Sequence, residues 1–342
     1  MTHYKISFLV EYKELLKILR YNTFRVIQLK DLTLALIGDI HGFWTSVDTD
    51  YFSHSKYDAI LFTGDLGTYR KASAYGIAKE IAGIRKPCYL IPGNHDTTSI
   101  FQLLVEIFSL NPYWMILGLP AHLYRYSTFL RFLRDVKVCE YSLHSEISDL
   151  ALIGGRPLSM GSRLNFLPFL KRRFGIRSLE ESSAKLISLC RDSKAINKDI
   201  LILAHNGPAG LGERATDIWG CDFRKEEGDF GDSDLAECLE AVRAEGGNVS
   251  VVVAGHMHHH AKRSLLFRTW KVRNGGTLYV NAARVPRIFK DKEGRRWHHH
   301  IRLTRTNGHW DAEAIYLKDG REEVPLLPKE IEEERTRIME ES

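Results

Sequence analysis

Five short breaks in the 342-residue chain gather the residue types that hold metal ions and move protons. In order they are Asp39-Ile40-His41-Gly42, Gly64-Asp65, Gly93-Asn94-His95-Asp96, Ala204-His205-Asn206-Gly207 and Gly255-His256-Met257-His258. Singly they differ in weight. A Gly-Asp pair is ordinary turn chemistry, and one histidine after an apolar run is ordinary in a core. As a set they supply carboxylate, imidazole and amide groups without thiolate, the donors that suit divalent ions such as Mn, Fe or Zn. Eight such groups overfill one tetrahedral ion but suit two ions sharing a bridge. Two ions about 3.5–4 Å apart clamp the attacking and leaving oxygens of a phosphoryl transfer. Asp39 and His41 stand two residues apart, as do His256 and His258. At a strand end that spacing sends both side chains to one side.

Such groups need a scaffold that brings them together. Short apolar runs recur as Leu32–Ile37, Ala59–Thr63, Cys88–Ile91, Ala151–Ile153, Ile200–Ala204, Val249–Ala254 and Leu278–Val280, and each break follows one of them. They are rich in β-branched residues and apolar on both faces, which predicts strands covered from both sides. Helical patterns lie between them. Ser178-Leu179-Glu180-Glu181 is a capping box opening a helix through Leu186, Ile187 and Cys190. Leu235, Cys238, Leu239 and Val242 form an apolar helical face behind Asp232 or Ser233 as N-cap. Strand alternating with helix predicts an α/β domain around a largely parallel sheet. All five breaks then fall on the carboxyl edge of one sheet, where such folds bind ligands.

Composition sets the outer bounds. With 44% hydrophobic and 11% aromatic residues the chain can bury a large core, which excludes disordered and fibrous classes. The net charge of +5 is unevenly spread. Residues 262–305 hold 13 basic and two acidic residues with Phe267, Trp270 and Trp297 interleaved. That stretch is a candidate nucleic-acid surface, although the modest total charge and the lack of a recognisable binding module weigh against it. Residues 318–342, with five basic and nine acidic residues, form a charged tail, of which 328–342 is expected to be a solvated helix or frayed end. Residues 1–30 form an extension, poorly packed except for an amphipathic helix over Tyr12–Arg20. The five cysteines are scattered and never form a CxxC pair, which favours a reducing compartment such as the cytoplasm. No apolar run approaches 18 residues, so neither a membrane span nor a membrane partner is expected. Glu11 and Glu14 interrupt the N-terminal apolar stretch, which does not read as a signal peptide. No element specifies a subunit interface.

In their order, D-x-H, G-D, G-N-H-D, a lone His and G-H-x-H, the motifs resemble those of the calcineurin-like metallophosphoesterases. Asp39, Asp65, Asn94, His205 and His256 follow one another at gaps of 26, 29, 111 and 51 residues. The resemblance covers about residues 32–285. Further runs, His205-Asn206-Gly207-Pro208 through Gly212, Gly228-Asp229-Phe230-Gly231-Asp232 and Val285-Pro286-Arg287, look like the cyanobacterial and plastid branch. Plastid stroma is therefore the alternative compartment.

The resemblance implies a four-layer α-β-β-α sandwich, two sheets flanked by helices, over residues 31–317. It also implies that Asp39, His41 and His258 hold one divalent ion, that Asn94, His205 and His256 hold a second, and that Asp65 bridges them. A bridging hydroxide would attack a phosphate mono- or diester of a small phosphorylated substrate. His95 would protonate the leaving alkoxide, and Asp96 would orient that imidazole or raise its pKa. The competing classes are a non-catalytic scaffold on the same fold, which usually lacks a ligand that this chain keeps, and a nuclease using residues 262–305.

Other residues carry weaker signals. Trp44, next to Phe43, either packs beneath the first loop or stacks on an aromatic leaving group. Arg156 either binds substrate phosphate or is a plain surface residue. Asp229, Asp232 and Asp234 fit a turn and a helix cap better than an extended site. His259 and His260 are expected to be non-ligands, and His298–His300 an exposed cluster in a hairpin-like region. Loops such as Tyr113–Tyr126 and Arg163–Gly175 are expected to shape the pocket.

Overall fold

The apolar runs become strands within a residue or two of their expected ends, and the segments between them coil into helices. The first half of the chain forms β1 (Leu32–Ile37), α1 (Ser46–His54), β2 (Ala59–Phe62), α2 (Lys71–Ile81), β3 (Cys88–Leu90), α3 (Ile100–Ile107) and α4 (Tyr113–Leu133). Then come β4 (Lys137–Val138), β5 (Leu143–His144), β6 (Leu150–Gly154), α5 (Leu167–Phe174), α6 (Leu179–Ala195), β7 (Asp199–Leu203), α7 (Ser233–Ala244) and β8 (Val251–Ala254). The last part is nearly all strand: β9 (Lys271–Asn274), β10 (Thr277–Asn281), β11 (Ile288–Lys290), β12 (Arg296–Thr306), β13 (His309–Lys318) and β14 (Glu322–Val324). The computed structural model describes residues 29–68, 71–111, 113–195, 198–222, 228–260, 267–291 and 293–324. The expected helix over Tyr12–Arg20 and the acidic residues past 324 lie outside them.

One sheet has the order β14-β13-β12-β1-β2-β3-β4, with β11 also paired to β12. The other has the order β5-β6-β7-β8-β10-β9. Both are parallel at their centres, where β1, β2 and β3 pair in one and β6, β7, β8 and β10 in the other. Alternation along β1 builds the layers. Leu34 and Leu36 pack toward the second sheet with Leu201, Leu203, Val251 and Val253. Ala35 and Ile37 face the other way, among Phe52 of α1, Ile77 of α2 and Phe129 of α4. The far face of the second sheet, with Ile153, Ile202 and Val252, packs on Leu186 and Cys190 of α6 and Leu235 and Leu239 of α7. The fold is a four-layer α-β-β-α sandwich of the α/β class.

Four expectations change here. The single sheet becomes two, because a strand covered by helices on one side and by another sheet on the other has the same apolar pattern wherever it sits. Tyr113–Tyr126 and Arg163–Gly175 are not loops: the first lies wholly within α4 and the second contains α5. Pro120 inside α4 suggests a break, but it lies on the exposed side, where the freed carbonyl can turn to water. His298, His299 and His300 are buried within β12, not exposed. Glu322–Val324 pair with β13, which carries the first sheet past Leu317 into the charged stretch.

Candidate metal centre

Each break turns sharply out of its strand: after β1, β2 and β3 in one sheet, and after β7 and β8 in the other. These carboxyl ends lie side by side, and the breaks converge between the two sheets. Asp39, His41 and His258 form one group and Asp65, His205 and His256 a second, with ligand atoms within 4.8 Å of one another in each. In the first, the Nε2 atoms of His41 and His258 lie 3.1 Å apart, and His258 Nε2 lies 3.6 Å from Asp39 Oδ1. Nitrogens each about 2.0–2.1 Å from one shared ion stand at about that separation. In the second, Asn94 Oδ1 is 2.8 Å from His205 Nε2. Asp65 Oδ2 lies between the groups, 3.8 Å from His41 Nε2 and 3.7 Å from His205 Nε2.

The backbone sets the imidazoles. His205 Nδ1 donates to the carbonyl of Thr63 at 2.6 Å, and His41 Nδ1 faces that of Gly67 at 3.3 Å. In both rings this leaves the Nε2 lone pair for the centre, the usual arrangement of a metal-ligating histidine. Backbone carbonyls have no signature in sequence, so these two supports are visible only in the fold. Phe230, which stacks on His256 at 6.2 Å, was legible only as part of the Gly228–Asp232 run.

Asp39 and Asp65 are fully buried carboxyls whose burial favours the neutral form. The surrounding imidazoles outweigh it: His258 and His205 hold Asp39 below the usual carboxylate range, and His205, His95 and His41 do so for Asp65. Burial together with the charge of His205 depresses His256 to about 3. Buried anionic oxygens facing imidazole nitrogens fit divalent cations, and the oxygen-and-nitrogen donor set suits Mn, Fe or Zn alike.

His95 is half-buried at the rim, its ring 5.3 Å from that of His41, and its backbone N–H donates to Asp65 Oδ1 at 2.8 Å. Asp96, next in this loop, is buried. Its carboxylate accepts the N–H groups of Asp65 (3.0 Å), Leu66 (2.7 Å) and Gly93 (2.8 Å), which clasps the second and third breaks together. Burial and the Asp65 charge raise it to about 7.

Trp44 is core: it stacks on Phe52, donates to Thr49 Oγ1 at 3.0 Å and lies beneath the Arg287 guanidinium. Arg156 is neither on the surface nor turned to a substrate. It is buried against Asp232 and Asp234, and its remaining donors reach the carbonyls of Gly161 and Arg163. Asp232 occupies the N-cap position of α7 but spends its carboxylate on Arg156, Ser159 and Asn206 instead. His259 Nε2 faces the carbonyl of Asn281, and His260 packs on Phe267.

The basic stretch changes character as well. Arg268, Arg284, Arg287 and Arg305 are buried, held by Asp222, by the Tyr316 hydroxyl, by Asp48, and by Asp149 with Asp199. A charge count along the chain cannot see partners that folding supplies from elsewhere, so these four cations are paired internally.

Paired oxygen-and-nitrogen donor clusters on the carboxyl edge of a four-layer sandwich are the layout of a metal-dependent phosphoesterase. Residues 32–260 match the model of the calcineurin-like phosphoesterase family, and the chain belongs to that family. It is 24% identical over 160 residues to the 3',5'-cyclic adenosine monophosphate phosphodiesterase CpdA of Vibrio vulnificus (strain CMCP6). That match spans 41% of this chain and 58% of the relative. Similar solved structures include TT1561 of Thermus thermophilus, at 9% identity and a TM-score of 0.44 over 79% of this chain and 94% of that one. A dimetal phosphatase from Danio rerio shows 11% identity and a TM-score of 0.43 over 82% and 98%.

Proposed function

We propose that the chain hydrolyses a phosphate mono- or diester of a small phosphorylated substrate at two divalent ions. Asp39, His41 and His258 hold one ion, Asn94, His205 and His256 the other, and Asp65 serves both. The observation that carries this reading is the position of Asp65 Oδ2, nearly equidistant from His41 Nε2 and His205 Nε2 at 3.8 and 3.7 Å. Ions bound there would supply charge neutralisation for a phosphoryl group and acidify water to a pKa near 7. The carbonyls of Thr63 and Gly67 keep His205 and His41 in the ligating tautomer. Asp96 fixes the loops that present Asp65 and Asn94, as a positioning residue. His95 stands at the rim as the proton donor to the departing oxygen. The buried thiols of the five cysteines support a reducing compartment, the cytoplasm or a plastid stroma. The Gly228–Asp232 and Val285–Arg287 runs support placement in the cyanobacterial and plastid branch.

Purified protein should take up Mn²⁺ and cleave p-nitrophenyl phosphate or its bis-ester. Asp65→Asn should lose both properties while melting cooperatively. An unchanged rate in Asp65→Asn would refute the assignment, and a wild-type protein with neither metal uptake nor hydrolysis would favour the scaffold reading.

A further inference from the structure

Between β3 and β4 the chain forms α3 and α4, whose Leu103, Val105 and Met115 join the core on the far face of the second sheet, and their outer surface is apolar. On α3, Leu103 and Val105 enter the core, as an amphipathic helix requires. Its opposite face is apolar as well: Ile100, Phe101, Leu104, Ile107 and the following Phe108 are all exposed, Phe108 to 65%. The start of α4 continues this surface, because Phe101 and Trp114 meet edge to face at 5.8 Å. Tyr113, Trp114, Ile116 and Leu117 lie open there, Leu117 to 71%. Glu106 is the one charged residue between Ile100 and Leu117. It turns inward to accept from Asn165 Nδ2 at 3.1 Å and the Phe166 N–H at 2.6 Å.

The rim of this surface is basic. Lys171, Arg172 and Arg173 of α5 are exposed, and the start of α5 abuts α3 where Glu106 accepts the Phe166 N–H. Neither α4 nor α5 contains an aspartate or glutamate. An apolar surface this continuous on a folded chain marks an interaction site. Aliphatic side chains with Trp and Tyr at their margin and lysine and arginine around them are the chemistry of interfacial helices that lie on anionic membranes. A second copy of the chain fits less well, because face-to-face contact would bring the two basic rims together.

We propose that α3, α4 and α5 form a docking face for an anionic lipid surface. The exposed stripe of α3 and the first turns of α4 enter the headgroup–acyl boundary, while Lys171–Arg173 meet the lipid charges. This is peripheral binding and needs no span: no helix among the described residues is long and apolar enough to cross a membrane. The face is joined to the candidate centre. Arg125 of α4 donates to the Thr97 carbonyl at 2.8 Å, and Thr98 donates to that of Asn94.

The test is flotation of the full chain with vesicles of phosphatidylcholine alone and of phosphatidylcholine with phosphatidylserine. Co-flotation with the anionic vesicles should exceed that with neutral ones by about tenfold and weaken as salt rises. The pair Phe108→Asp and Leu117→Asp should abolish binding without altering the circular dichroism spectrum or melting. Lys171→Glu with Arg172→Glu should remove the preference for anionic lipid. Brominated lipid should quench wild-type fluorescence more than that of Trp114→Phe. Failure of the wild type to float with either vesicle overturns the proposal. So does equal flotation of the Phe108/Leu117 variant, or a dimer that this variant dissolves in a chain that ignores vesicles. None of these readouts depends on hydrolysis.

Discussion

Asp39, His41, Asp65 and His256 adopt left-handed backbone conformations, with φ of 48°, 44°, 53° and 66°. For residues bearing a Cβ this costs about 1–3 kcal/mol each and persists only where the surroundings over-determine it. Those surroundings are concrete: the N–H of Asp39 donates to the Gly64 carbonyl and that of His41 to the Asp65 carbonyl, while the N–H of His256 donates to the Asp39 carboxylate. The fit excludes even a methyl group at two glycines. A Cβ on Gly93 would lie 2.2 Å from Asp65 Oδ1, and one on Gly255 would lie 2.1 Å from Asp39 Oδ2. At the rim, His95 is expected to act on the leaving group rather than on metal affinity. His95→Gln should lower kcat by about 10²–10⁴ while metal content stays at the wild-type level. The loss should grow along a series of aryl and alkyl phosphates as the leaving group becomes more basic. A loss independent of leaving group would remove His95 from the acid role.

Elements meet through buried charge as well as apolar faces. Arg156, just past β6, reaches Asp234 in the first turn of α7 and Asp232 before it, and Asp234 also accepts from Ser182 of α6. The network ties the helices of one layer to the sheet beneath them. Removing Arg156 leaves two buried carboxylates without their counter-charge, a loss of about 3–5 kcal/mol in comparable cases. Arg156→Met should therefore lower the denaturant midpoint strongly and leave KM for aryl phosphates unchanged. A raised KM at unaltered stability would return Arg156 to the substrate. The sequence offered Arg156 and its acidic partners as separate candidates for site and cap, because a long-range ion pair has no local signature. The helix cap at Ser178 was readable for the opposite reason. Ser178 accepts the Glu181 N–H at 3.2 Å, an interaction contained within four residues.

For the molecule as a whole, buried neutral histidines couple folding to pH. His122 of α4 is fully buried, stacked on Phe169 at 4.4 Å with Nε2 3.2 Å from Thr97 Oγ1. Burial, and then the charge of Arg125, depress it from 6.5 to about 3. His299 and His300 are held well below 6.5 by burial and neighbouring charge, first that of Arg284 for one and Arg287 for the other. Below pH 6.5 the unfolded chain takes up protons that the folded one refuses, so stability is complete above that value and falls toward pH 3. His122 alone should cost about 2 kcal/mol by pH 5. Urea unfolding at pH 7 and pH 5 should show this decline, and His122→Leu should reduce it by about that amount. An identical decline in the variant would mean that His122 is protonated in the folded chain.

The order of residues already specified the donor set and the strand that precedes each break, because metal chemistry admits few side chains and buried strands admit few polar ones. It also specified the short-range devices, such as caps and turns, whose partners lie a few positions away. Convergence required the fold: two sheets had to abut before Asp39 could meet His258 across 219 positions. The partners of Arg156, Arg287 and Arg305, the burial of His298–His300 and the open apolar flank of α3 and α4 likewise depend on packing. Exposure and long-range pairing belong to the assembled solid, since whether a side chain meets water or a neighbour is settled by which surfaces close over it.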